Sequence, residues 1–267
     1  MEVLGYFIAI LIGVSLGLAG SGGSILTVPV LVYLMHVNPV LATTSSLFIV
    51  GVTSLVGGVR AYAKGMVDFK AVSEFGLPSI FSIFITRHYI LPSIPAHLFS
   101  VAGIDVSKDM FLMIFFALLM LFASFAMIRN YDNDENTETV KTTNKHRVFP
   151  LMILGIVIGF ITGLLGAGGG FLIIPSLVLF LRIRMKRAVG TSLLIIAINS
   201  LFGFLFSLKQ FEFDWLLLCT FTALAIAGIF IGSKLADRID SASLKKGFGW
   251  FVLLMAIYII IKELFIK

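Results

Sequence analysis

The chain has 267 residues, 59% hydrophobic and only 13% charged, with a formal net charge of +6 and a mean hydropathy of +1.07. Soluble domains average about 45–50% apolar and about 25% charged residues, so too little polar surface is left to cover a water-soluble globule. Soluble enzymes, nucleic-acid-binding modules and disordered scaffolds are disfavoured, and the positive charge reads as loop Lys and Arg of a membrane protein.

Taken in chain order, apolar runs occupy Val3–Ala19, Ile25–Met35, Val40–Val59, Ala71–Leu91 and Met110–Ile128. A polar linker, Asn130–His146, precedes runs at Val148–Leu165, Phe171–Leu181, Ala188–Leu208, Trp215–Ser233 and Phe248–Ile261. A helix needs about 20 mostly apolar residues to cross a hydrocarbon core ~30 Å thick. Stretches such as Met110–Met120 do not alternate apolar with polar residues, so the pattern predicts an all-α integral membrane protein rather than a barrel. With no Lys or Arg before it, Val3–Ala19 reads as a retained helix and not a cleaved signal.

Two runs are too short. Ile25–Met35 and Phe171–Leu181 have 11 residues each, roughly 17 Å of helix. Each follows a glycine cluster, Gly20-Ser21-Gly22-Gly23-Ser24 in one case and Gly166-Ala167-Gly168-Gly169-Gly170 in the other. Glycine favours unwound backbone, so each pair predicts a helix that breaks near mid-membrane and continues as a half-helix. Such a break is tolerated only inside protein or beside a wet cavity.

The two anomalies belong to one pattern. A shift of 146 residues lays Gly13, Gly17, Gly20, Gly22, Gly23 and Pro29 on Gly159, Gly163, Gly166, Gly168, Gly169 and Pro175. The register continues without a gap through Ala42/Ala188, Ser46/Ser192, Ser54/Ser200, Gly57/Gly203 and Asp68/Asp214. The expected organisation is a membrane repeat at 1–129, a polar cytoplasmic linker at 130–147 and a second repeat at 148–267. Each repeat has three full spans plus a broken or re-entrant helix pair, an odd number of crossings, which gives two inverted-topology repeats. The basic residues Arg60, Lys64, Arg182, Arg184, Lys186, Arg187, Lys234, Arg238, Lys245 and Lys246 then lie on the cytoplasmic side, with both termini outside. Arg87 and Lys108 fall on the outer side, against this trend.

Inverted repeats with broken helices are a mark of secondary transporters. The half-helices begin near Ser24 and Gly170, so their N-terminal N–H groups and positive dipole ends are predicted to converge on an anion. Gly20, Ser21, Gly22, Gly23, Ser24, Gly166, Ala167, Gly168, Gly169 and Gly170 are the expected substrate contacts at the breaks. A second polar belt on the following helices adds Thr43, Thr44, Ser45 and Ser46, then Thr191 and Ser192, with Thr53, Ser54, Asn199 and Ser200 one or two turns further on. Hydroxyls and an amide donate to an oxyanion without fixing a full charge in lipid. The central parts of the runs hold no Asp, Glu, Lys or Arg, and Glu74 and Arg87 lie toward the ends of theirs. The substrate is therefore expected to be held by dipoles and neutral donors.

Other features read as structural. Gly13 and Gly17, the series Gly155, Gly159 and Gly163, and the pair Gly228 and Gly232 have the spacing of close helix packing. Pro29 and Pro175 lie near half-helix starts, where proline is tolerated, and Arg60 reads as a topology marker. Cys219 is the one cysteine, and His36, His88, His97 and His146 share no ligand spacing, so no metal site, cofactor or catalytic cluster is expected.

The paired motif G-x-x-G-x-G-G-(S/G) followed by proline, here Gly17 to Pro29 and Gly163 to Pro175, resembles the TauE/SafE sulfite-exporter family of bacterial membrane permeases. The stretches Ala188–Ser192 and Gly228–Leu235 resemble further parts of its pattern. The first half departs from it, with Ser24 in place of a third glycine and Thr86-Arg87-His88 where the second half has Gly232-Ser-Lys234. The resemblance implies a carrier of small sulfur-containing or organic anions (sulfite, sulfonates, sulfoacetate, thiosulfate) in the cytoplasmic membrane, with the lipid bilayer and a small anion as partners. A passive anion channel, a membrane-embedded enzyme and a non-transporting scaffold are the alternatives.

Overall fold

Long apolar stretches in lipid satisfy their backbone groups by coiling into helices, and helices make up nearly all of the computed structural model. It describes residues 2–20, 23–95, 97–101, 104–129, 148–166, 168–181, 183, 185–235 and 241–265. The expected linker at 130–147 lies outside the described residues. In chain order the elements are α1 (Glu2–Ala19), α2 (Ser24–Tyr33), α3 (Pro39–Ala63), α4 (Phe69–Ile85), a π-helical turn (Thr86–Ile90) and α5 (Leu91–Ser93). Strands β1 (His97–Val101) and β2 (Ile104–Ser107) follow, then α6 (Lys108–Arg129), α7 (Val148–Leu165) and α8 (Gly170–Leu181). The chain continues with α9 (Met185–Ser207), α10 (Trp215–Leu235) and α11 (Ser241–Phe265).

Among the described residues, four stretches are long and apolar enough to cross a membrane: α3, α4 continued to Ser93, α9 from Arg187, and α10. Helices α2 and α8 have 10 and 12 residues, about 15 and 18 Å at the usual rise, the half-spans that the sequence predicts. Polar side chains set the starts. The Asn38 side chain accepts a hydrogen bond from the Val40 N–H before α3. Asp68 accepts from the N–H groups of Lys70 and Ala71 before α4, and Asp214 from that of Leu217 in α10. The shared Asp68/Asp214 position is thus a pair of N-caps.

One element departs from the all-α expectation. β1 and β2 form a two-stranded antiparallel ladder that pairs Val101 with Ile104 and Ser100 with Asp105. It fills the connection between α5 and α6, where the sequence has no apolar run long enough for a span.

The helices meet through small residues. Along α1 and α10, a Cβ at Gly13 would lie 2.0 Å from the Ala225 carbonyl oxygen, and one at Gly232 would lie 2.2 Å from that of Val14. Gly155 and Gly159 of α7 face the carbonyls of Phe75 and Ser79 on α4 in the same manner, so these glycines serve close packing, as their spacing predicts. Helices α3 and α9 also pack together, with Gly51 against Leu201 and Gly58 against Leu194. Contacts that advance along one helix and retreat along the other mean that α3 and α9 run antiparallel. Helix α6 packs on α11, and α2 touches α8. Large apolar side chains such as Leu77, Phe122 and Leu216 point outward, while Ser and Thr side chains of α3 and α9 are buried.

Candidate functional site

The polar belt begins in the first turns of α3. Thr43, Thr44, Ser45 and Ser46 are fully or almost fully buried, as are Thr53 and Ser54 further along and Thr191, Ser192, Asn199 and Ser200 on α9. Several of these hydroxyls are held by their own helix: Thr43 and Thr44 donate to the Val40 carbonyl, Thr53 to that of Ile49 and Ser192 to that of Val189. Thr191 is used by the α3–α4 connection, accepting from the Asp68 N–H at 2.9 Å. Asn199 donates to the Ser79 hydroxyl, and its Oδ1 has no hydrogen-bond partner. The hydroxyls of the register mates Ser54 and Ser200 are also unpartnered.

The helix breaks lie against this belt. Gly20 and Gly166 adopt φ of 72° and 68°, the left-handed conformation that suits glycine, and their N–H groups bond the carbonyls of Leu16 and Thr162 to close α1 and α7. A Cβ at Gly166 would lie 1.9 Å from the Thr43 carbonyl oxygen of α3, and one at Gly20 would lie 2.4 Å from Val189 on α9. Ser46 fastens the first contact, its hydroxyl lying in hydrogen-bond reach of the carbonyls of both Gly166 and Thr43. Gly168, at φ 66°, faces Val50 of α3 and both Ile196 and Ser200 of α9.

The structure therefore brings Gly166, Gly168, Thr43, Thr44, Ser46 and Ser200 into one region between α3, α9 and the α7–α8 break. Gly23 and Ser24 are buried where α2 begins, and Gly23 packs against Ile12 and Leu16 of α1. Gly169 lies against Thr162 and Ile158, and Gly170 is the buried first residue of α8. The remaining predicted contacts, Ser21, Gly22 and Ala167, lie outside the described residues.

Neutral donors are not the whole of this region. Arg87 is fully buried. Its Nη1 donates to the Thr44 hydroxyl at 2.7 Å, its Nη2 reaches the Thr43 carbonyl at 3.5 Å, and its Nε has no hydrogen-bond partner. Among the described residues the one ion pair joins Lys70 and Glu74. Arg87, expected toward the end of the run Ala71–Leu91, is thus a buried charge beside the neutral donors, on a helix that continues from α4 through the π-helical turn to Ser93. Its signal in the sequence is the departure at Thr86-Arg87-His88, where the second half carries Gly232 and Ser233.

The next residue, His88, lines a cleft of about 540 Å³ together with Val40, Leu91, Pro92, Lys108, Gln210 and Phe211. Lys108 donates to the Leu91 carbonyl at its edge. Elsewhere, Arg60 near the end of α3 donates to the Ser233 hydroxyl at 2.7 Å and lies over the Phe230 ring. Among the described residues no group of three or more His, Cys, Asp or Glu side chains could hold a metal ion.

Known proteins share this sequence pattern over most of the chain. The family model for Sulfite exporter TauE/SafE matches residues 6–259. A probable membrane transporter protein of Xylella fastidiosa is 31% identical over 256 residues, covering 94% of this chain and 91% of its own. Another, YunE of Bacillus subtilis, is 26% identical and covers 89% of each chain. A third, from Methanocaldococcus jannaschii, is 36% identical over 114 residues, 40% of this chain and 43% of its own. No solved structure matches. With its buried polar belt inside an apolar helical shell, the chain belongs to the sulfite exporter TauE/SafE family of membrane transporters.

Proposed function

We propose that this protein is a secondary transporter that moves small anions across the cell membrane by alternating access. Sulfur-containing anions, such as sulfite, a sulfonate, sulfoacetate or thiosulfate, are its substrates. The observation that carries the reading is the seating of each helix break on the opposite half. Gly20 rests on Val189 and Gly166 on Thr43, and the shift of 146 residues exchanges these two contacts. The positive N-terminal dipole ends of α2 and α8, which follow the breaks, would favour an anion there.

The packing supports two inverted repeats, at 1–129 and 148–267. The same exchange turns the α1–α10 contact into α7–α4 and α10–α3 into α4–α9, and returns α3–α9, α6–α11 and α2–α8 to themselves. Antiparallel α3 and α9 fit halves inserted upside down, with the linker cytoplasmic and both termini outside. Two halves of one shape can exchange conformations, so that a shared site opens first to one side and then to the other.

Purified protein in liposomes, offered sulfite, sulfate, thiosulfate, taurine and sulfoacetate with and without a pH gradient, tests the assignment. Saturable uptake of one or more sulfur anions is expected. Absence of protein-dependent uptake across the panel would reject the substrate class, and unsaturable currents would mark a channel.

A further inference from the structure

We infer that Arg87 binds the transported anion directly, presenting its Nε and Nη2 edge to two oxygens of a sulfur oxyanion. The inference deepens the anion-transport reading and rests on it. A guanidinium keeps its charge at neutral pH, and a charge taken out of water is costly unless paired and hydrogen-bonded. Arg87 is fully buried, and its bonds within the chain are to neutral groups, a hydroxyl and a carbonyl.

The bonding is uneven across the guanidinium. Nη1 is well engaged by Thr44 at 2.7 Å, whereas Nη2 has one long contact at 3.5 Å and Nε has none. Nε and Nη2 form the side-on fork with which arginine grips two oxygens of a planar or tetrahedral anion. The position suits this use. Thr43, which Nη2 reaches, is the residue whose carbonyl abuts Gly166 at the α7–α8 break, so the guanidinium lies one residue contact from the proposed site. The next residue in the chain, His88, lines the cleft that also holds Lys108. Thr44 acts as a positioning residue that fixes the plane of the fork.

The competing role is a structural strut to α3, and a substitution pair separates the two. The half-saturating concentration is measured for sulfite and for thiosulfate uptake into proteoliposomes, and the melting temperature is measured in detergent with and without these anions. Arg87→Gln is expected to weaken binding about 10- to 100-fold, the usual loss for a charge-assisted hydrogen bond. It should also abolish anion-dependent stabilisation while melting, without anion, no lower than the natural protein. Arg87→Lys keeps the charge and loses the fork, and is expected to raise the half-saturating concentration about 10-fold. Unchanged half-saturation in either variant would overturn the role of Arg87 and leave anion transport standing. Absence of sulfite and thiosulfate uptake by the natural protein would overturn the sulfur-anion reading and this inference with it.

Discussion

Gly166 has no room for a methyl group. Its φ of 68° strains any residue with a Cβ, and that Cβ would lie 1.9 Å from the Thr43 carbonyl oxygen. Gly65 shares the conformation, at φ 68°, but faces open space. Comparing Gly65→Ala with Gly166→Ala therefore separates strain from collision. The first is expected to cost about 1 kcal/mol and the second about 3 kcal/mol or more, read as melting temperature in detergent. Equal losses would mean that the break at Gly166 is not seated on α3. The difficulty of reading single residues from sequence is plain at Arg87. The apolar run Ala71–Leu91 already carries the helix past it, but its burial depends on packing against α3, which no local pattern records. Thr191 is a similar case: its hydroxyl looks free in sequence, but the Asp68 N–H uses it.

Helices in this molecule are held by contact geometry as much as by burial, since lipid offers little hydrophobic drive for one helix to prefer another. The α1–α10 seam illustrates this. A Cβ at Gly232 would meet the Val14 carbonyl oxygen at 2.2 Å, so Gly232→Ala is expected to part the two helices and cost about 3 kcal/mol. Gly76→Ala on α4 meets nothing within 4 Å and is expected to stabilise by up to about 1 kcal/mol through helix propensity. Unfolding curves in detergent check both, and a neutral Gly232→Ala would contradict the close seam. At this scale the sequence was largely legible, because hydropathy, glycine spacing and the Asp68 and Asp214 caps are local signals. The β1–β2 ladder was not, since Ile104–Ser107 alternates over four residues only and His97–Val101 does not alternate, too short a signal beside the long apolar runs.

Across the whole molecule, the repeated glycine, proline, serine and aspartate positions are the sequence trace of a packing arrangement that maps onto itself when the halves are exchanged. The proposed site between the halves makes a specific kinetic demand: a carrier that must reorient exchanges one anion for another, whereas a pore lets each run down its own gradient. Counterflow tests this most directly. Proteoliposomes loaded with unlabelled thiosulfate are diluted into a trace of the labelled anion, with the membrane potential clamped at zero. Alternating access predicts that label accumulates transiently inside above its equilibrium level and then declines. A monotonic rise to equilibrium, or no entry of label for any sulfur anion that the protein binds, would contradict it.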